Sequence, residues 1–317
     1  MKILVTPTSM TPDKDTDALR KLKTYTEDLV FNPTGKPLSG DALVELLKDC
    51  DGYLAGLDSV TEDVLKQCPK LKAISRYGAG YDRVDIAAAK KKNIKVSNTP
   101  GANAQAVAEL AFGMLISLSR QIPYLHTKTI CGKWIRSNGK ELYGKTIGIV
   151  GLGAIGKKLA HCCKGFDMKI LAYDPFINEE YCRENGITVC SLEELLAQSD
   201  YVSLHLPLTE STRHLIDAKA IASMKKGAIL INASRGGIID ENAAYEGLIS
   251  GQLGGLGLDA FETEPPAASP LFRLNNVVAT PHAGAHTAEA TQAMAGMAVD
   301  NLIEMLENGD CKFIVNR

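Results

Sequence analysis

Short apolar runs recur along this chain, and stretches of helical spacing separate them. Strands are expected at "KILVT" (2–6), "GYLAGL" (52–57), "KAISRY" (72–77) and "KVSN" (95–98). A second series follows at "TIGIVG" (146–151), "KILAYD" (169–174), "YVSLHLP" (201–207), "AILINAS" (228–234), "GLGLDAF" (255–261) and "NVVATP" (276–281). Most are continuous apolar runs, which marks strands covered on both faces. Helices are expected over 154–166, 192–198, 217–224 and 240–251, between strands of the second series. Strand and helix in alternation build parallel, doubly wound α/β sheets.

One helical pattern is longer than the rest. In "ANAQAVAELAFGMLISLSR", Val107, Leu110, Ala111, Met114, Leu115 and Leu118 recur on one face and need a large apolar partner. A last helix, roughly 287–308, stops at Asn308-Gly309. Two Thr-Pro steps, Thr99-Pro100 and Thr280-Pro281, bracket the centre of the chain and suit crossings between two lobes.

Composition narrows the function classes. The 317 residues suggest two domains, and a net charge of −2 gives no electrostatic case for nucleic acid or an anionic membrane. No apolar run is long enough to span a bilayer, and "MKILVTPTSM" reads as a first strand rather than a signal peptide, so a cytoplasmic location is expected. The eight cysteines show no C-x-x-C pair. His282 and His286 lie four apart, but on a strand exit that starts with Pro281, and no metal site is expected.

The richest local signal is "TIGIVGLGAIGKKLA", in which strand, G-x-G-x-x-G and helix follow in order. Gly151 would make the tight turn, Gly153 would admit a pyrophosphate, and Gly156 would let helix pack on strand. Anions suit such a helix N-terminus, where N–H groups and the dipole converge. Asp174 ends the next strand, where a carboxylate accepts both adenine-ribose hydroxyls and repels a 2′-phosphate. NAD is therefore expected rather than NADP.

Three later strands each end in an unusual polar residue: Arg235, Glu264 shortly after Asp259, and His282. Taken singly, each has a plain reading as a surface arginine, a loop acid or a helix-entry residue. Taken together behind a dinucleotide fold, they match a reaction. Oxidising a 2-hydroxy acid needs a base for the hydroxyl proton, and histidine titrates in the right range. A carboxylate beside it orients the ring, and a guanidinium can grip the substrate carboxylate.

These stretches, with "RYGAGYDRVDI", "NTPGANAQAVAELAFGMLI", "LHLPLTESTRHLI" and "VVATPHAGAHTAEA", resemble the D-2-hydroxyacid dehydrogenase family over nearly the whole chain, and within it the phosphoglycerate dehydrogenases. The resemblance implies a Rossmann NAD-binding domain (100–285) inserted in a flavodoxin-like substrate domain (1–99 plus 286–317). It implies Arg235, Glu264 and His282 as catalytic residues. It implies cofactor contacts at Ala154, Ile155, Asp174, Pro207, Thr212, Ala233, Arg235, Asp259, His282 and Gly284. It places the substrate carboxylate on Tyr77, Gly78, Ala79 and Gly80, a turn that is a plausible anion nest on its own physics. It also implies a homodimer built by the long helix and the arm around Trp134.

Two features depart from the phosphoglycerate enzymes. Their first-lobe arginine falls where this chain has Gly56 and Leu57, and their basic cluster after the arm tryptophan is thinned to Arg136. Arg76 and Arg136 are left as phosphate ligands. The expected substrate is a small D-2-hydroxy acid or 2-keto acid, with 3-phosphoglycerate slightly ahead of hydroxypyruvate and glyoxylate. The competing class is an NAD-sensing corepressor-like protein; no peptide-binding lobe or tail is evident, and no residue of the triad is lost.

Overall fold

The computed structural model describes all 317 residues. The chain divides into two compact units, Met1–Asn103 with His286–Arg317, and Ala104–Ala285. The first unit opens with β1 (Ile3–Val5), α1 (Asp17–Tyr25), β2 (Leu29–Phe31), α2 (Gly40–Leu47), β3 (Gly52–Ala55), α3 (Glu62–Lys66), β4 (Ala73–Arg76), α4 (Ile86–Lys91) and β5 (Lys95–Ser97). The second runs α5 (Ala104–Ser119), α6 (Ile122–Ile130), β6 (Thr146–Val150), α7 (Ala154–Lys164), β7 (Lys169–Tyr173), α8 (Glu179–Glu184) and β8 (Ile187–Val189). It continues with α9 (Leu192–Gln198), β9 (Tyr201–Leu204), α10 (Ala218–Ser223), β10 (Ala228–Asn232), α11 (Glu241–Ile249), β11 (Leu253–Leu258) and β12 (Val277–Ala279). The last helix, α12 (Ala288–Asn308), belongs to the first unit.

Both sheets are parallel throughout. The five-stranded sheet runs β2-β1-β3-β4-β5, which is the flavodoxin-like order. The seven-stranded sheet runs β12-β11-β10-β9-β6-β7-β8, which is the Rossmann order with one strand added at the edge. Its order reverses between β6 and β9, so the carboxyl ends of these two strands border the switch point where ligands bind in such sheets.

The continuous apolar runs are explained by burial on two faces. Ile229 and Ile231 of β10 pack into one core cluster with α5 and α7, while Leu230 packs into the other. Each such side chain contributes about 1.5–3 kcal/mol on full burial. The apolar face of α5 is buried at Val107, Ala111, Met114, Leu115 and Leu118, against the strand-interior residues of the second unit. Helix ends follow local chemistry. Ser191 and Glu194 form a capping box on α9, and Gly309 closes α12 at φ 72°.

Two strands lie outside the sequence expectation. β2 ("LVF") and β8 ("ITV") are three residues each at sheet edges, too short to show a period. Helices α1 to α4, α6 and α8 also lie outside the expectation, and in α6 none of the residues is buried, so no core-facing side marks it.

Candidate active site

The three polar residues at the ends of β10, β11 and β12 are linked in series. After Asn232, Arg235 turns out of the sheet. The buried Asn232 side chain donates to the Arg235 carbonyl (2.7 Å) and accepts from Ser234 N (3.1 Å) and Ser234 Oγ (2.8 Å). This pins the backbone of the turn, and Arg235 Nη1 donates to the Ser234 carbonyl at 2.8 Å. The next residue presses on the neighbouring loop. A Cβ on Gly236 would stand 1.8 Å from the Phe261 carbonyl oxygen, and Gly237 has φ +77°. Gly236 lets the Arg235 turn touch the backbone of the β11 exit, and Gly237 supplies the left-handed backbone that follows.

That exit carries the second residue. Glu264 Oε1 accepts from Phe261 N at 3.3 Å, and the Glu264 carboxylate faces His282 Nδ1 at 2.9 and 3.1 Å. A carboxylate can only accept, so His282 carries its proton on Nδ1 and presents Nε2 as the free basic atom. The loop is anchored from behind. Glu262 N donates to Glu241 Oε1 (2.8 Å), Glu241 N donates to Glu262 Oε1 (3.2 Å), and His214 Nε2 lies 3.2 Å from Glu262 Oε1. Burial, with the Glu262 carboxylate opposite, raises the Glu241 carboxyl above its usual range.

His282 sits on an unusual backbone, with φ +52°. What holds it is Asp259, a buried carboxylate that accepts from Thr280 Oγ1 (2.6 Å), Ala283 N (2.7 Å) and Gly284 N (2.8 Å). Asp259 and Gly284 thus meet each other. In this structure the Asp259 carboxylate serves the turn that aims His282.

The glycine loop between β6 and α7 has the shape the motif requires. Gly151 adopts φ +97°, and a Cβ there would lie 2.5 Å from the His205 carbonyl oxygen; a Cβ on Gly156 would lie 2.2 Å from the Gly151 oxygen. Gly153 differs, because a Cβ there would meet nothing of the chain within 4 Å. Protein packing does not explain that glycine, whereas close approach of an outside group does. Gly153 caps α7 without a side-chain bond, so no side chain of the cap occupies the first-turn N–H groups of Ala154, Ile155 and Gly156. Asp174 closes the cradle: Oδ2 accepts from Leu152 N (2.7 Å) and Oδ1 from Phe176 N (2.8 Å). Across the switch point, Thr212 Oγ1 donates to the Pro207 carbonyl (2.7 Å), so these two expected contacts sit in one tied loop. Ala233, 7% exposed, lies at the root of the Arg235 turn.

In the first unit, the Tyr77–Gly80 turn follows β4. Tyr77 OH accepts from Ser9 Oγ (2.8 Å) and donates to the Thr291 carbonyl (3.0 Å); Gly78 N donates to Thr99 Oγ1 (3.0 Å). Those groups are already engaged, which leaves the N–H groups of Ala79 and Gly80 as donors for an anion. Arg76 is 7% exposed and its Nη1 donates to the Tyr77 carbonyl beneath this turn. It supports the turn from inside, whereas Arg136 is exposed.

Comparison with known proteins now decides the family. Residues 112–284 match the model for the D-isomer specific 2-hydroxyacid dehydrogenase NAD-binding domain. The chain belongs to the D-isomer specific 2-hydroxyacid dehydrogenase family. A hydroxypyruvate reductase of Thermotoga maritima is 43% identical over 279 residues, covering 86% of this chain and 90% of the relative. A D-3-phosphoglycerate dehydrogenase of Methanocaldococcus jannaschii is 41% identical over 283 residues, covering 88% of this chain but only 54% of the relative. The chain thus spans about half the length of that phosphoglycerate enzyme. Among solved structures, a D-lactate dehydrogenase from Aquifex aeolicus, complexed with NAD and lactic acid, superposes with a TM-score of 0.84 at 28% identity, covering 100% of each chain.

Membership makes this an NAD-linked oxidoreductase fold, and the residues present fit the dinucleotide: helix N–H groups without a side-chain cap for the phosphates, a side-chain-free Gly153 and the Asp174 carboxylate for a ribose. Sequence reasoning missed the residues that hold the turns carrying Arg235, Glu264 and His282. Thr280 and Glu262 act through hydrogen bonds across loops, and Asn232 through bonds within its own turn. The one available signal was a polar residue closing a buried strand, as Asn232 does in "AILINAS".

Proposed function

We propose that this chain interconverts a small D-2-hydroxy acid and its 2-keto acid, with NAD(H) as the hydride partner. Bound nicotinamide supplies the hydride exchange. Arg235 grips the substrate carboxylate and polarises the adjacent carbonyl. His282 Nε2 takes the hydroxyl proton in oxidation and returns it in reduction, and Glu264 holds the ring and stabilises the imidazolium. Pro207, Thr212 and Ala233 serve the cofactor, and the Ala79 and Gly80 N–H groups serve a substrate carboxylate. The observation that carries this reading is the Glu264 carboxylate at 2.9 and 3.1 Å from His282 Nδ1, which sets the tautomer that acid–base transfer needs.

A short substrate such as hydroxypyruvate or glyoxylate is favoured over 3-phosphoglycerate. Arg76, the nearer arginine to the Tyr77–Gly80 turn in sequence, is buried against backbone carbonyls. At the other candidate position, Gly56 and Leu57 offer no basic side chain, and a Cβ on Gly56 would already sit tightly, 3.3 Å from Asp58 Oδ2 and from Pro7. Side-by-side kcat/KM for hydroxypyruvate, glyoxylate, 3-phosphoglycerate, D-glycerate and D-lactate tests this. NADH binding without turnover of any of them would replace the enzyme with an NAD-sensing protein.

Two further parts belong to the same reading. The protein self-associates through the arm 120–143, where Ile122, Ile130, Trp134, Ile135 and Tyr143 are all exposed. It works in the cytoplasm, in keeping with eight unpaired cysteines and no helix long and apolar enough to cross a membrane. Light scattering on the eluting peak of a sizing column measures the first, and fractionation of cells the second.

A further inference from the structure

Phe176 is 93% exposed, more than Trp134 at 83% and every other large apolar residue of the chain. It does not hang on a loose tail. Its N–H donates to Asp174 Oδ1 at 2.8 Å, the neighbouring Ile177 packs on the core of the second unit, and Asn178 caps α8 by accepting from Tyr181 N at 2.9 Å. Both flanks are fixed, so the ring is held out in water at the carboxyl end of β7, next to the carboxylate assigned to the adenine ribose. Exposed apolar residues of the arm come as a group, whereas Phe176 stands apart from them in sequence. A single ring falls well short of the surface of about 1,000 Å² that a specific protein contact needs. It is enough for one flat base.

From this placement we propose that Phe176 is an affinity-determining residue of the cofactor site, forming an aromatic wall on which the adenine base stacks. The inference rests on the NAD reading above. A ribose held by its hydroxyls at Asp174 carries its base on the adjoining ring carbon, so the base lies beside the residues that follow Asp174. The hydrogen bond from Phe176 N to Asp174 Oδ1 couples the two contacts: Asp174 reads the sugar, and Phe176, two residues on, meets the base. Stacking of this kind is tolerant of the base, so the wall contributes affinity for the adenosine half, and Asp174 contributes the choice against a 2′-phosphate.

The test compares ligands that do and do not contain adenine. Dissociation constants for NADH, ADP-ribose and reduced nicotinamide mononucleotide are measured by fluorescence and calorimetry on wild type, Phe176→Ala and Phe176→Tyr. Phe176→Ala is expected to weaken NADH and ADP-ribose roughly 5- to 100-fold, to leave the mononucleotide unchanged, and to be rescued by Phe176→Tyr. Unchanged affinity for ADP-ribose in Phe176→Ala would overturn the proposal. So would an equal loss for the mononucleotide, since that marks a distorted loop. A wild type that binds none of the three removes the NAD reading itself, a separate failure from that of Phe176 alone.

Discussion

The Glu264 carboxylate brackets His282 Nδ1, with Oε1 at 2.9 Å and Oε2 at 3.1 Å. This relationship engages Nδ1, and on the proposed mechanism it leaves Nε2 for the substrate. His282→Ala is expected to lower kcat roughly 10²–10⁴-fold, the range of a lost general acid–base, with NADH affinity little changed. Glu264→Gln is expected to lower kcat less and leave KM near wild type, because the ring remains but its orientation and charge support weaken. Steady-state kinetics with a separate NADH titration checks both; wild-type kcat in His282→Ala would remove it from the chemistry.

Arg235→Lys should behave as a severe change. Lysine cannot present a planar fork to a carboxylate, and the Nη1 bond to the Ser234 carbonyl at 2.8 Å is lost with it. KM is expected to rise and kcat to fall together. Kinetics near wild type would show that the guanidinium does not hold the substrate.

Asp174→Ala should have two effects. Removing the carboxylate narrows the preference for NADH over NADPH. It also frees Leu152 N and Phe176 N, which now bond to Oδ2 and Oδ1. NADH affinity should therefore fall in absolute terms while the NADH/NADPH ratio shrinks. A wild type that already prefers NADPH contradicts the assignment.

Gly236→Ala tests the contact between the Arg235 turn and the β11 exit. A Cβ only 1.8 Å from the Phe261 carbonyl oxygen forces one of the two loops to move. The expected loss is roughly 2–4 kcal/mol of stability, the range of severe single substitutions, together with most of the activity. Thermal melting and kcat measured on the same preparation report both; an unshifted Tm would mean that the loops are not pressed together.

His205 gives a stability prediction with a defined sign. Burial lowers its pKa from 6.5 to about 4, its Nδ1 has no partner, and Ser203 Oγ lies 2.9 Å from Nε2. The unfolded chain takes up this proton at higher pH than the folded one. The contribution is therefore intact above pH 6.5, declines as pH falls towards 4, and levels off below that, with a full size of about 3 kcal/mol. Urea midpoints measured against pH for wild type and His205→Gln isolate it. Parallel curves for the two proteins would assign the acid sensitivity to other groups.

The fold was legible because its strands are buried on two faces, so "TIGIVG", "AILINAS" and their companions appear as unbroken apolar runs. The dinucleotide loop was legible in part for a local reason, since Gly156 meets the Gly151 backbone of the same strand–turn–helix unit, whereas Gly151 is pressed by the His205 carbonyl beyond β9. Arg235, Glu264 and His282 could be nominated because each is a charged or titratable residue just past a strand end. Their linkage could not. Whether Glu264 faces His282, which residue holds the His282 turn, and why Gly236 must be glycine all depend on contacts between loops that follow different strands. Asp259 shows the difference most plainly. In the sequence it is an acid at a strand exit, open to several roles. In the fold it is a buried carboxylate whose oxygens accept from Thr280, Ala283 and Gly284. A one-dimensional pattern records the period at which a chain enters its core. The partners of a buried polar atom are chosen only when separate strand ends come side by side.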